Sequence, residues 1–197
     1  MELILASQSP RRQQLLRQMG LRFRVQVPHV DEAMDPARPP EEEVCRVSLI
    51  KARTAGRTAP EAIVVAADTI VVCEGQILGK PHSEEEAEQM LRLLSGRVHQ
   101  VMTGYTVLQG DRTETGLEVS LLHFRSLAEA EIRAYVATGE PMDKAGAYGI
   151  QGVGGLFVRR LEGDYYNVMG LPICALTEVL RRFGVEILGC AEPEVAQ

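Results

Sequence analysis

The period of apolar and polar positions changes repeatedly along the chain, and each change marks an element. Residues 2–6 read as a short buried strand, after which Ser9-Pro10 opens a helix, with Ser as cap, Pro in the first helical position and Gly20 closing it. Residues 23–27 alternate as a half-buried strand, and 28–40 form a polar, proline-bearing loop that carries Asp31 and Glu32. Pro40, followed by three glutamates suited to the positive end of a helix dipole, starts a second helix to about Ala55, with Lys51 in its later half. The β-branched run AIVVAADTIVVC at 62–73 predicts a central strand, which turns at Glu74-Gly75 into Gln76-Ile77-Leu78 and ends at Gly79-Lys80-Pro81.

Further along, Ser83 with Glu86 has the spacing of a capping box, and Ala87, Met90, Leu91 and Leu94 fall on one helical face that Gly96 stops. Two long strands follow at 98–108 and 115–124, joined around Gly110-Asp111, and Ser126 with Glu129 predicts a second capping box for a helix to about Ala137. A glycine-rich loop at 140–155, a strand at 156–161, a turn at Glu162-Gly163-Asp164 and a last helix at 172–183 complete the pattern. Strands and helices interleave, yet long antiparallel pairs also occur, so the class is mixed α/β. The boundaries read as one domain over 1–190 and a polar tail over 191–197.

Composition narrows the function. With 197 residues, 45% hydrophobic and 24% charged, the chain can bury a sizeable core. Its net charge of −6 argues against a surface for polymeric nucleic acid, which needs a basic face to displace counterions, but leaves small anions open through local charge. No stretch approaches the roughly 20 apolar residues of a membrane span, and Met1-Glu2 opens no basic leader, so a cytoplasmic protein with no membrane partner is expected. Cys45, Cys73, Cys174 and Cys190 lie far apart with no Cys-x-x-Cys pair, which points to reduced, mostly core thiols.

The charge is unevenly spread. Residues 3–30 hold five arginines and no acid, whereas 31–43 hold six acids and one arginine. Two solvated faces of opposite sign would account for this, and so would an anion site beside a metal site. Ser7, Ser9, Arg11 and Arg12 surround the first turn of the first helix, where free N–H groups favour an anion but arginine opposes the dipole. Either the arginines face solvent, or a bound phosphate chain offsets their cost.

Asp68 is the only charged residue within 62–73, and an ionised carboxylate there needs a partner. It is either an aspartate bonded to backbone at a strand end or a metal ligand or general base. Asp31 and Glu32 gain meaning only if they converge with Asp68 on one hard cation. Lys51 and Lys80 have the option of snorkelling at the surface; Lys80, between Gly79 and Pro81, is the better functional candidate of the two. The glycines from Gly146 to Gly155 match neither a dinucleotide fingerprint nor a Walker A loop, the four histidines lack metal spacing, and no Gly-x-Ser-x-Gly elbow occurs.

Six ordered blocks together resemble the Maf (septum formation protein) family of nucleotide pyrophosphatases: LILASQSPRRQQLL at 3–16, VDE at 30–32, AADTIV at 66–71, GKP at 79–81, LSGRVHQVMTG at 94–104 and GEPMDKAGAYGIQG at 139–152. The resemblance implies an elongated mixed-sheet α/β fold similar to inosine triphosphate pyrophosphatase, with two lobes and a central cleft. It also implies hydrolysis of nucleoside triphosphates to monophosphate and pyrophosphate, a divalent cation (Mg²⁺ or Mn²⁺), a small-molecule nucleotide as partner and a homodimer. By the same resemblance Asp68 looks like the proton acceptor. Ser7, Arg11, Arg12, Glu32, Lys51 and Lys80 look like the phosphate and metal set, with Asp68 and Glu32 at the metal and Glu32 and Lys80 in catalysis. Arg11, Thr69 and Gln151 match the positions that mark the branch acting on dTTP and UTP. The alternatives are a nucleotide-binding regulator of cell division with incidental turnover, or a 7-methyl-GTP pyrophosphatase, which those three positions disfavour.

Overall fold

The structure is a computed structural model in which residues 2–188 are described; the segment 189–197, with Cys190, the predicted domain end and the predicted tail, lies outside the described residues. Strand β1 (Leu3–Leu5) leads into helix α1 (Pro10–Gln18), then β2 (Arg24–Val25) and α2 (Pro40–Gly56). Strand β3 (Ile63–Cys73) turns into β4 (Gln76–Leu78), followed by α3 (Glu84–Leu94), β5 (Val98–Gln109), β6 (Arg112–Phe124) and α4 (Glu129–Val136). Three short 3-10 turns at Glu140–Asp143, Ala145–Ala147 and Val153–Phe157 precede β7 (Val158–Glu162), α5 (Tyr165–Val168) and α6 (Ile173–Arg182).

The strands form one seven-stranded sheet in the order β2-β1-β3-β5-β6-β7, with β4 added to β3. Strand β1 pairs in parallel with β2 and β3, whereas β3–β4 and β6–β7 are antiparallel, so the mixed α/β class holds. Among the described residues no helix is long and apolar enough to cross a membrane.

The chain divides into two compact units. One comprises Met1–Asp68, Gly104–Glu118 and Gly170–Gln197, the other Thr69–Thr103 and Val119–Met169. The first has a core in which Ala52 and Ala55 of α2 pack with Ile4, Val64, Ala66 and Leu108. Small residues let α2 lie close to the strands: a Cβ on Gly104 would stand 2.6 Å from the Val44 carbonyl oxygen. The second unit buries the apolar face of α3 (Ala87, Met90, Leu91, Leu94) with Leu122, Phe124, Ile132 and Tyr135.

Several local expectations are corrected. The alternation at 23–27 yields only a two-residue strand, whose residues are both exposed. Ser83 caps α3 by accepting from Glu86 N, but the Glu86 carboxylate bonds the His82 N–H, one residue before the cap. Helix α4 is capped at Ala128 rather than Ser126, because the Glu131 carboxylate reaches back to Ala128 N and is held there by Arg125. Residue 156 is not in a strand; Leu156 is exposed within a 3-10 turn. Helix α5, which has only four residues, carried no periodic signal. Cys174 is exposed rather than core, and the described thiols are free.

Candidate active site

In the first unit, β1 delivers the chain to the start of α1. Ser9 caps that helix, its Oγ facing Arg12 N at 3.5 Å, and Pro10 occupies the first turn, which contains no acid. Ser7 Oγ accepts from Ser9 N and from Arg12 Nη1, both at 3.2 Å. Arg12 is buried rather than solvent-facing, and its Nε donates to the Gly170 carbonyl at 2.7 Å. Burial pulls the Arg12 pKa down, and Arg11 adds to this, against the opposing pull of Asp68 and Glu32. Arg11 is half-buried.

Strand β3 pairs with β1 only as far as Val65, so Asp68 stands three residues beyond the last paired position. Its carboxylate is buried and accepts from Lys51 Nζ at 2.7 Å through Oδ1. The same ammonium lies 3.0 Å from Glu32 Oε1. The isolated aspartate therefore has a partner, and it is Lys51, not backbone. Lys51 is itself buried on α2, whereas Lys80, the better candidate on sequence, is exposed in the segment after β4.

Glu32 is exposed, but its loop is anchored. Glu43 is buried and accepts from Arg46 Nε and Nη2 at 2.9 and 2.7 Å and from Asp35 N at 2.8 Å, while Arg46 Nη2 also donates to Ala33 O. The Arg46 guanidinium, helped by the Asp35 N–H, holds the Glu43 carboxyl down to about 2. Sequence reasoning missed this residue, since it read Glu41, Glu42 and Glu43 alike as dipole partners. The available signal was the three-residue spacing from Glu43 to Arg46.

Thr69, the next residue of β3, belongs to the second unit. There its Oγ1 lies 2.9 Å from Thr103 Oγ1, which donates to Asn167 O. Lys80 and Gln151 are both exposed in this unit, and the Gly79 carbonyl accepts from Gly146 N, joining the GKP segment to the glycine-rich one.

Within the first unit the arrangement thus gathers Ser7, Arg11, Arg12, Glu32, Lys51 and Asp68, three cations against two carboxylates, in a chain of net charge −6. Such a site attracts a small polyanion at short range, and the positive end of the α1 dipole adds to it. No group of three or more His, Cys, Asp or Glu converges among the described residues. Two carboxylates whose oxygens already meet one cationic atom do fit Mg²⁺ or Mn²⁺, which take few protein ligands and complete their shell with water and phosphate oxygen.

The family model for Maf-like proteins matches residues 2–183. The chain belongs to the Maf-like protein family. A dTTP/UTP pyrophosphatase of Symbiobacterium thermophilum is 52% identical over 186 residues, covering 94% of this chain and 96% of that one. Another of the same description, from Moorella thermoacetica, is 49% identical, covering 95% of this chain and 98% of its own. Among solved structures, a HAM1 protein from Coxiella burnetii aligns with a TM-score of 0.52 at 18% identity, over 92% of this chain and 99% of that one, which supports the fold.

Proposed function

We propose that this Maf-like chain is a nucleoside triphosphate pyrophosphatase that hydrolyses dTTP and UTP to the monophosphate and pyrophosphate. The observation that carries the reading is the buried Lys51 bridge between Asp68 and Glu32, at 2.7 and 3.0 Å, with buried Arg12 in the field of both acids. It is supported by relatives described as dTTP/UTP pyrophosphatases, two of which are 52% and 49% identical over nearly their whole length.

Water attacks the α-phosphorus and pyrophosphate leaves, with catalysis mostly by positioning and charge neutralisation. Asp68 Oδ1 is engaged by Lys51, and Oδ2 carries no hydrogen bond among the described residues, so Oδ2 is the atom free to take the proton of the attacking water. Arg11, Arg12, Ser7, Lys51 and Lys80 hold the triphosphate. Glu32 and Asp68 would hold Mg²⁺ or Mn²⁺, and the ion would supply charge neutralisation at the phosphate. Thr69 and Gln151 face the pyrimidine; a neutral amide both donates and accepts, as the carbonyl, N–H, carbonyl edge of uracil or thymine requires. The active form is a homodimer in the cytoplasm.

A panel of dTTP, UTP, 7-methyl-GTP and the purine triphosphates, assayed with Mg²⁺ or Mn²⁺ and with phosphate products identified, tests the proposal. Pyrophosphate released from dTTP and UTP above the others is the expected result. Orthophosphate as first product, 7-methyl-GTP as best substrate, or binding without turnover would overturn it.

A further inference from the structure

The glycine-rich segment after α4 is wound around one carboxylate. Glu140 Oε2 accepts from Val153 N at 2.9 Å, and Oε1 accepts from Gly154 N at 3.2 Å and from the Tyr135 hydroxyl at 2.9 Å. The Tyr135 oxygen in turn accepts from Gly149 N at 3.2 Å, and Lys144 Nζ donates to the Glu140 carbonyl at 2.6 Å. Three backbone N–H groups of the segment 149–154 therefore end on this two-residue cluster.

The glycines are there because the wrap is tight. A Cβ at Gly152 would stand 2.4 Å from Glu140 Oε1, one at Gly154 would stand 2.6 Å from the Tyr135 oxygen, and one at Gly149 would meet Lys144 Cε at 2.7 Å. Burial raises the Tyr135 pKa, so its hydroxyl stays protonated and donates. Burial also pushes the Glu140 carboxyl up, but the N–H groups of Val153 and Gly154, the Tyr135 hydroxyl and Lys144 outweigh it, and the pKa is lowered. Glu140 is thus an ionised acceptor with its bonds directed inward. Between the bonded N–H groups lies Gln151, exposed, with no side-chain hydrogen bond among the described residues. The segment is fixed on both sides of a side chain that is itself left unengaged, an economical way to present one amide in a fixed pose.

We propose that Glu140, seconded by Tyr135, is a positioning residue for base selection, holding the 149–154 turn so that Gln151 meets the pyrimidine edge in one orientation. This rests on the reading of Gln151 as the base contact. The test is a double-mutant cycle on KM for UTP, with Gln151→Ala, Glu140→Gln and the double variant, each also followed by amide exchange at Gly149, Val153 and Gly154.

Glu140→Gln keeps the side-chain volume but turns an N–H₂ toward groups that need an acceptor. It should raise KM about 10-fold with kcat changed far less, and speed exchange at the three amides. In the Gln151→Ala background the same change should have almost no further effect on KM, because the group it positions is gone. Full additivity of the two effects, or Glu140→Gln with an unaltered KM while Gln151→Ala raises it, would overturn the positioning role alone. Gln151→Ala with parental KM would overturn the base-contact reading and the positioning role together. Should Glu140→Gln not fold, Tyr135→Phe takes its place in the cycle with the same expectations, since it removes one donor to Glu140 and the acceptor for Gly149 N and keeps the buried ring.

Discussion

Arg12 donates to the Gly170 carbonyl and to Ser7 from a buried position, whereas Arg11 beside it is half-buried and its side chain makes no hydrogen bond among the described residues. Relief of the helix-dipole conflict favours removing either arginine, but only Arg12 has buried side-chain hydrogen bonds to lose. Arg11→Ala should weaken UTP binding with stability unchanged or slightly higher. Arg12→Ala should weaken binding and also cost about 1–3 kcal/mol, because the buried guanidinium's hydrogen bonds to Gly170 O and Ser7 Oγ are lost. Denaturant titration of the two apo variants separates these outcomes. His99 gives a second residue-scale test. It is buried, its Nε2 lies 2.8 Å from the Tyr148 hydroxyl, its Nδ1 has no hydrogen-bond partner among the described residues, and burial, reinforced by His123, lowers its pKa to about 4. The unfolded chain takes up a proton near pH 6.5 and the native one only near 4, so stability falls as pH drops through this window. Between pH 7 and pH 5 the loss is about 2 kcal/mol, before the carboxylates contribute much. His99→Phe should remove most of that difference; an equal pH slope in the variant would assign it elsewhere.

Among the elements, α2 has the most to position, since it carries Glu43, Arg46 and Lys51 on the side that meets the strands and the 31–39 loop. Its distance from β5 is set at Gly104, where a Cβ would fall 2.6 Å from Val44 O and 2.8 Å from Cys45 N. Backbone cannot yield as a flexible side chain does, so Gly104→Ala should cost about 1–3 kcal/mol and lower turnover by moving Lys51 with the helix. Denaturation and UTP turnover measured on that one variant check both; full stability with full activity would show that the helix adjusts freely. Long periodic elements were legible from the sequence: the ends of α1, α2 and α3 and the whole of β3 follow from caps, apolar spacing and β-branched runs. The start of α4 was not, because the Ser126 spacing imitates a cap while Glu131 is recruited by Arg125 at a position that sequence spacing does not favour. The two-residue β2 and the four-residue α5 are too short for any period to reveal.

Over the whole molecule, the sheet order and the division into two units depend on which strands pair, a tertiary fact that no local period encodes. The candidate site was legible in part for a physical reason: a lone carboxylate in an apolar strand must have a counter-charge, so Asp68 could be singled out before its partner was known. That partner was not legible, because a lysine on a helix surface and one buried beneath it look alike in sequence, and Lys80, between Gly79 and Pro81, stands out more than Lys51 does. The proposed mechanism needs Asp68 for turnover far more than for holding UTP, since Arg11, Arg12, Lys51 and Lys80 carry the triphosphate. Asp68→Asn keeps an oxygen for Lys51 and removes the proton acceptor, so the decisive measurement is UTP turnover of this variant beside its equilibrium affinity for UTP. The expected result is a loss of about 100-fold or more in kcat with affinity close to the parent's. Near-parental turnover, or a loss of affinity that accounts for the whole defect, would contradict it.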